Sequence, residues 1–208
     1  MKLSDYHLLL TLFLTTFAHG QIQPDPARYE ESIERFENAD LISPPAKKAI
    51  LLVGSSSIGF WNNDAPVDLA PLDVIPRGFG GSVMNDVLYY YERIILKYAP
   101  RAIVLYEGDN DIAWGLSPAT VLNQLVSLIA NLDRDLPDTR LYLLDIKPSI
   151  ARSHLWVLAE EVNNGFAAIA PGPLPSSQVT LSMPTMGSLN IACVGFTSSS
   201  APSPLINS

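Results

Sequence analysis

The chain has 208 residues, of which 48% are hydrophobic and 16% charged, so it fits one ordinary domain with a sizeable core and not a disordered chain. Its net charge of −8 disfavours non-specific nucleic-acid binding, and its single cysteine excludes an internal disulfide framework and a multi-thiolate metal site. All charged residues lie within positions 1–164, and positions 165–208 hold none.

Residues 1–20 have the layout of a secretory signal peptide. Lys2 precedes an apolar run over residues 8–14, and Ala18 and Gly20 supply small side chains before a cleavage position at Gln21. The apolar run is well short of the roughly 20 residues that a membrane-spanning helix needs. We therefore expect an exported protein, periplasmic or extracellular, with no membrane span after cleavage.

The rest of the chain alternates apolar strand patterns with helical patterns. Three unbroken apolar runs are typical of strands buried on both faces of a parallel sheet, and they cover residues 49–54, 102–106 and 141–146. Helices are predicted over residues 26–39, 83–98, 118–135 and 152–163, the third with Ser117 as its cap. Strands separated by helices of this length predict an α/β protein, a three-layer α/β/α sandwich with a parallel sheet.

In such sheets, functional residues lie in the loops beyond the carboxyl ends of the strands. Residues 54–57 read Gly-Ser-Ser-Ser, where a serine either presents its hydroxyl beside a helix N-terminus or only caps that helix. Residues 77–82 form a glycine-rich loop that either lets backbone N–H groups approach a substrate or makes a tight turn. Asn110, within residues 107–111, either donates a side-chain N–H to an oxyanion or is a turn residue.

The sequence lacks the motifs of common cofactor and metal sites. A dinucleotide fingerprint requires glycine where Val83 stands, and no Gly-Lys-Ser/Thr of a phosphate-binding loop is present. Residues 109–111 are similar to the start of a calcium loop, but Trp114 occupies the position that requires glycine. The sequence therefore predicts neither a cofactor nor a metal.

Taken together and in this order, the three loops resemble the sequence blocks of the SGNH (GDSL-like) hydrolase family of esterases and acylhydrolases. The first block aligns without a gap on residues 54–57 and places the nucleophile on Ser56, with Ser57 as the alternative if the register slips by one. The second block matches its oxyanion-hole glycine to Gly81, and the third places the amide donor on Asn110.

The resemblance extends over residues 49–163 and implies a flavodoxin-like sheet and ester hydrolysis by acyl transfer. In this mechanism a serine attacks the ester carbonyl, while backbone N–H groups and a side-chain amide hold the oxyanion. Two positions depart from the family pattern, since Ser55 replaces the usual Asp and Pro76 stands where relatives often carry Asn. Neither departure removes a catalytic atom.

The family's Asp-x-x-His pair, which completes the triad near the C-terminus, has no match in this sequence. Residues 165–208 contain no Asp and no His, but nine Ser, six Pro and four Gly. Three interpretations stay open, namely a low-complexity surface tail, a genuine divergent tail, and a change of coding frame near residue 164. We favour the frame change, which predicts that another frame of the coding DNA encodes Asp-x-x-His beyond codon 164.

The chain is thus divided into a signal peptide (1–20), a truncated SGNH-like domain (21–164) and an uncharged tail (165–208). After signal cleavage His154 is the one remaining imidazole, either a substitute base or a helix-surface residue. The resemblance implies hydrolysis of small-molecule or carbohydrate-linked esters. The alternatives are a catalytically silent relative that binds an acylated ligand and a non-functional truncated remnant. Residues 89–91, all Tyr, and Trp114 either line a sugar-binding edge or pack in the core.

Overall fold

The computed structural model describes residues 23–169 and the backbone of three further strands at residues 181–183, 187–189 and 191–194. The predicted signal peptide and most of the uncharged tail lie outside the described residues. The strands are β1 (Ile50–Gly54), β2 (Val74–Gly78), β3 (Ala102–Tyr106), β4 (Arg140–Leu144), β5 (Leu181–Met183), β6 (Gly187–Leu189) and β7 (Ile191–Val194).

Helices connect the strands. The α-helices are α1 (Glu30–Ile42), α2 (Ser56–Gly59), α3 (Ala65–Asp68), α4 (Met84–Tyr89), α5 (Tyr91–Ile94), α6 (Asp109–Ala113), α7 (Pro118–Asp135) and α8 (Trp156–Ile169). Short 3-10 helices cover Pro26–Tyr29, Leu96–Tyr98 and Ile150–Leu155.

The main sheet has the strand order β2-β1-β3-β4-β7. β1 pairs in parallel with β2 and β3, and β3 pairs in parallel with β4, whereas β7 runs antiparallel to β4. Strands β5 and β6 form a separate antiparallel pair. The α/β class and the parallel sheet predicted from the sequence are confirmed.

The edge strand β2 differs from the sequence prediction. That prediction places Arg77 and Gly78 in a loop, and it is wrong, because both lie in β2. Pro76 obscures the strand, since proline has no N–H to donate to a neighbouring strand. Among the described strands β2 lies at the edge of the sheet and has one side without a partner, so it tolerates the proline that departs from the family pattern.

Helices cover the two faces of the sheet unequally. One face carries the main core, in which α1, α4, α5, α7 and α8 pack against side chains that include Leu51, Ile103 and Leu143. On the other face, the described residues contribute the short α2 and α3, whose Ile58 packs with Leu52 of β1. A cavity of about 550 Å³ lies on this second face. Among the described residues, the larger part of the core therefore lies on one face of the sheet.

The predicted helices agree with the structure to different degrees. α7 has the predicted bounds, and the Ser117 hydroxyl accepts a hydrogen bond from the Thr120 N–H at 3.2 Å. The helix predicted over residues 83–98 is divided at Tyr90 and Ile95, whose backbone angles are not helical, into α4, α5 and the 3-10 helix Leu96–Tyr98. α8 continues past residue 163 to Ile169, and Phe166 in this extension is buried in the main core.

Candidate active site

A tight turn leads from β1 into the helix that carries the predicted nucleophile. Gly54 ends β1 with a φ of +151°, and a Cβ at this position would lie 2.3 Å from the carbonyl oxygen of Tyr106, so glycine is required. The Ser55 N–H donates to the same oxygen at 3.2 Å and ties the turn to the end of β3. Ser56 then begins α2 and is partly exposed, whereas Ser57 is only 5% exposed. Of the two candidate nucleophiles, Ser56 is therefore the more accessible.

A cleft of about 320 Å³ opens beside Ser56. Its walls include Phe79 and Gly80 from the loop after β2, and a Cβ added at Gly80 would lie 3.7 Å from Cβ of Ser56. The Tyr29 hydroxyl donates to the Gly80 carbonyl oxygen at 2.9 Å and holds this loop in place. Within the described chain, the backbone N–H groups of Ser56 and Gly81 donate no hydrogen bond.

Asn110 lies in α6, which follows β3 directly, and is 7% exposed. Its Nδ2 donates to the Ser82 carbonyl oxygen at 2.9 Å, while its Oδ1 accepts from Arg152 Nη2 at 2.9 Å. Because Ser82 uses one of the two amide hydrogens, the second remains to bind an oxyanion. Ser56 shares its cleft with Gly80, and Asn110 bonds to Ser82, so the two neighbours of Gly81 connect the three predicted loops.

Arg152 is a site neighbour that the sequence prediction missed. It belongs to the 3-10 helix Ile150–Leu155, and its Nη1 lies 2.7 Å from Oδ2 of Asp109 in an ion pair. The guanidinium therefore contacts two successive side chains of α6, those of Asp109 and Asn110. No local pattern indicates a contact between segments so far apart in the chain.

Two buried carboxyl groups support these loops from within the protein. The Glu107 carboxyl accepts a hydrogen bond from the Ser82 hydroxyl, and Asp111 accepts the N–H groups of Met84 and Gly108 at 2.9 and 3.0 Å. Burial, followed by the negative charge of Asp111, raises the pKa of Glu107 well above its ordinary value. Burial also raises the pKa of Asp111 to about 6, although its hydrogen bonds act in the opposite direction.

Neither a protein-family model nor a curated protein matches the sequence. A structure named as a platelet activating factor from Streptococcus pneumonia is 23% identical, with a TM-score of 0.55 over 68% of this chain and 68% of its own. A GDSL-like lipase from Bacteroides thetaiotaomicron is 14% identical, with a TM-score of 0.54 over 65% of this chain and 73% of its own.

A structure named as an acylhydrolase from Bacteroides fragilis is 18% identical, with a TM-score of 0.55 over 70% of this chain and 72% of its own. The chain has the fold of GDSL-like lipases and acylhydrolases. In this GDSL-like fold, β1, β2 and β3 run in parallel, so their carboxyl ends bring the three loops to one edge of the sheet.

The remaining candidate residues have different positions in the GDSL-like fold. His154 is exposed on the 3-10 helix that also carries Arg152. Tyr90 and Tyr91 pack in the main core, whereas Tyr89 and Trp114 are 62% and 55% exposed.

The described residues include no group of three or more His, Cys, Asp or Glu placed to hold a metal. No helix in the same part of the chain has both the length and the apolar composition needed to span a membrane.

The raised pKa of Glu107 leads to a prediction for the pH dependence of stability. A carboxyl whose pKa rises on folding holds its proton more tightly in the folded chain, so its contribution to stability is complete below the unfolded pKa and is lost as pH rises. The isosteric Glu107→Gln variant cannot ionise and escapes this loss. Between the pKa of Glu107 in the unfolded chain and its higher pKa in the folded chain, the wild-type carboxyl is ionised only after unfolding. Over that pH range we expect the free energy of unfolding of Glu107→Gln, minus that of wild type, to increase by about 1.4 kcal/mol per pH unit.

Urea denaturation at pH 5, 6, 7 and 8 measures this difference. Glu92→Gln removes one carboxyl from an exposed position and is the matched control, for which we expect no such increase. A constant difference between Glu107→Gln and wild type across this range would contradict the prediction.

Proposed function

We propose that this protein hydrolyses carboxylic esters, of small molecules or linked to carbohydrate, by acyl transfer to Ser56. The observation that carries the proposal is the position of Ser56, which begins α2 and lines a cleft beside Gly80. Its own N–H and that of the following glycine, Gly81, are unbonded within the described chain. The N–H groups of Ser56 and Gly81 and the free amide hydrogen of Asn110 would hold the oxyanion. The layout of residues 1–20 supports export as a second part of the proposal.

The reaction proceeds in two steps. Ser56 Oγ forms a bond to the ester carbonyl carbon and loses its proton, and the tetrahedral oxyanion then collapses, expelling the alcohol and leaving an acyl-serine. Water attacks the acyl-serine in the second step, which releases the carboxylic acid and restores the hydroxyl. Serine is a weak nucleophile unless a base removes its proton.

The base is what distinguishes this chain from the family it resembles. The sequence beyond residue 164 has no Asp and no His, and His154 is exposed. Since residues 165–208 supply no Asp or His as a base, we propose that solvent hydroxide takes the Ser56 proton, so that turnover is slow and rises with pH. Serine hydrolases that lack triad members still exceed the uncatalysed rate by roughly 10³–10⁴, through the oxyanion hole and substrate binding.

Hydrolysis of p-nitrophenyl acetate by Ser56→Ala and Ser57→Ala variants tests this function. We expect wild-type protein to release p-nitrophenol faster than buffer, Ser56→Ala to fall to the buffer rate, and Ser57→Ala to stay within about threefold of wild type, since Ser57 is buried. Loss of activity in Ser57→Ala alone would move the nucleophile by one residue. Equal rates in wild type and Ser56→Ala would reject the proposal.

A second candidate function is binding of an acylated ligand without turnover, which the absence of Asp and His from residues 165–208 favours. Phenylboronic acid separates the two candidates, because boron accepts a serine oxygen and forms a tetrahedral anion without any hydrolysis. Boronate binding that Ser56→Ala abolishes, without measurable turnover, would indicate the silent relative. Full activity of His154→Ala would exclude His154 as a base.

A further inference from the structure

We infer that Arg152 is a positioning residue for the candidate oxyanion site, because its guanidinium fixes the orientation of the Asn110 side-chain amide. The role of the Asn110 amide in this inference rests on the proposed function. The contacts of Arg152 with Asn110 and Asp109 are observed in the structure whether or not the protein is an esterase.

The guanidinium bridges two neighbouring side chains of α6. Nη2 donates to Asn110 Oδ1 at 2.9 Å, whereas Nη1 lies 2.7 Å from Asp109 Oδ2 in an ion pair and makes no hydrogen bond within the described chain. Arg152 and Asp109 side chains are 33% and 24% exposed, so the pair is partly shielded from water. A guanidinium spreads its charge over separate nitrogens, so one nitrogen can donate to Asn110 while another pairs with Asp109, which suits this bridge better than the compact ammonium of lysine.

A side-chain amide needs this kind of fixation, because a rotation of 180° exchanges its donor and its acceptor. In the observed orientation, Asn110 Nδ2 donates to the Ser82 carbonyl oxygen at 2.9 Å. The rotated amide would place its oxygen against the Ser82 oxygen and its NH₂ group against the guanidinium, which loses both hydrogen bonds. Arg152 and Ser82 therefore select the same orientation from opposite ends, with the N–H groups on the side of Ser82.

Direct binding of a substrate anion is a weaker interpretation of Arg152. The Asp109 carboxylate offsets its positive charge, and both terminal nitrogens face groups of α6. Arg152 itself adopts φ −120° and ψ 21°, outside the helical region, within the 3-10 helix Ile150–Leu155. This connection between β4 and α8 thereby contributes to the site through Asn110.

Two measurements on the full chain test the inference. The first is NMR of the Asn110 side-chain amide, identified by its disappearance in Asn110→Ala. We expect Arg152→Ala to shift or broaden this resonance, Arg152→Lys to have an intermediate effect, and Arg134→Ala, which breaks an exposed ion pair with Asp135, to leave it unchanged. An unaltered Asn110 resonance in folded Arg152→Ala would overturn the inference even if the protein has no esterase activity.

The second measurement is a double-mutant cycle on Ser56-dependent hydrolysis and on phenylboronic acid affinity. We expect Arg152→Ala to lower kcat and boronate affinity about tenfold with little change in KM, but less than twofold in an Asn110→Ala background. Equal losses in both backgrounds would mean that Arg152 acts independently of Asn110. Boronate binding that is insensitive to Ser56→Ala would reject the proposed function, while the NMR result would still decide the role of Arg152.

Discussion

Replacement of Gly78 by alanine is expected to destabilise the protein by more than about 4 kcal/mol. A Cβ at Gly78 would lie 2.1 Å from the Gly59 nitrogen and 2.4 Å from the carbonyl carbon of Ile58. Both are backbone atoms of α2, so no side-chain rotation relieves the overlap. The last residue of β2 must therefore be glycine for α2, and with it Ser56, to pack against the sheet.

Gly80→Ala provides the matched control, because its Cβ would meet the nearest atoms, those of Ser56, at 3.7 and 3.8 Å, which is ordinary contact distance. We expect this variant to unfold within about 1 kcal/mol of wild type. Urea denaturation followed by circular dichroism compares the two. Similar midpoints for Gly78→Ala and Gly80→Ala would show that α2 moves away from β2 without loss of stability, contrary to the expectation.

Local patterns predict those parts of the fold that depend on local chemistry. The three apolar runs lie in buried parallel strands, because such a strand needs apolar side chains on both faces. The bounds of α7 follow from the Ser117 cap and the spacing of its apolar residues. β2 escaped prediction because its proline is acceptable only at a sheet edge, and edge position is a property of the whole sheet.

In the candidate site, too, some residues are predictable from local sequence and others depend on contacts across the fold. Sequence blocks place Ser56, Gly81 and Asn110 in three separate loops, and the parallel strand order then brings these loops to one edge. The roles of Glu107 and Arg152 depend on contacts across the fold, with Ser82 and Asn110 respectively. The position of Glu107, a charged residue directly after an apolar strand, was a sequence signal for a role in the site. The sequence around Arg152 contains no such signal.

Asn110→Asp is expected to reduce Ser56-dependent hydrolysis of p-nitrophenyl acetate by about 10²–10³, the usual effect of removing one oxyanion donor. The substitution preserves the shape of the side chain and its contact with Arg152, but replaces both N–H donors by an oxygen. The new carboxylate repels the Ser82 carbonyl oxygen, which the amide bonds in wild type, and it also repels the developing oxyanion. We expect the loss in kcat and in boronate affinity, with little change in KM, because the donor binds the transition state in preference to the ester.

Asn163→Ala is the matched control for this prediction. The Asn163 amide also bonds backbone groups, accepting from the Ile146 N–H at 2.8 Å and donating to the Ile146 carbonyl oxygen at 3.0 Å. Its removal should lower the free energy of unfolding by roughly 1–3 kcal/mol, because it leaves backbone groups unpaired, yet leave kcat per folded molecule unchanged. The contrary outcome is that Asn110→Asp behaves like Asn163→Ala and is less stable but has normal kcat. The Asn110 amide would then be a structural bridge between Ser82 and Arg152, and backbone N–H groups alone would hold the oxyanion.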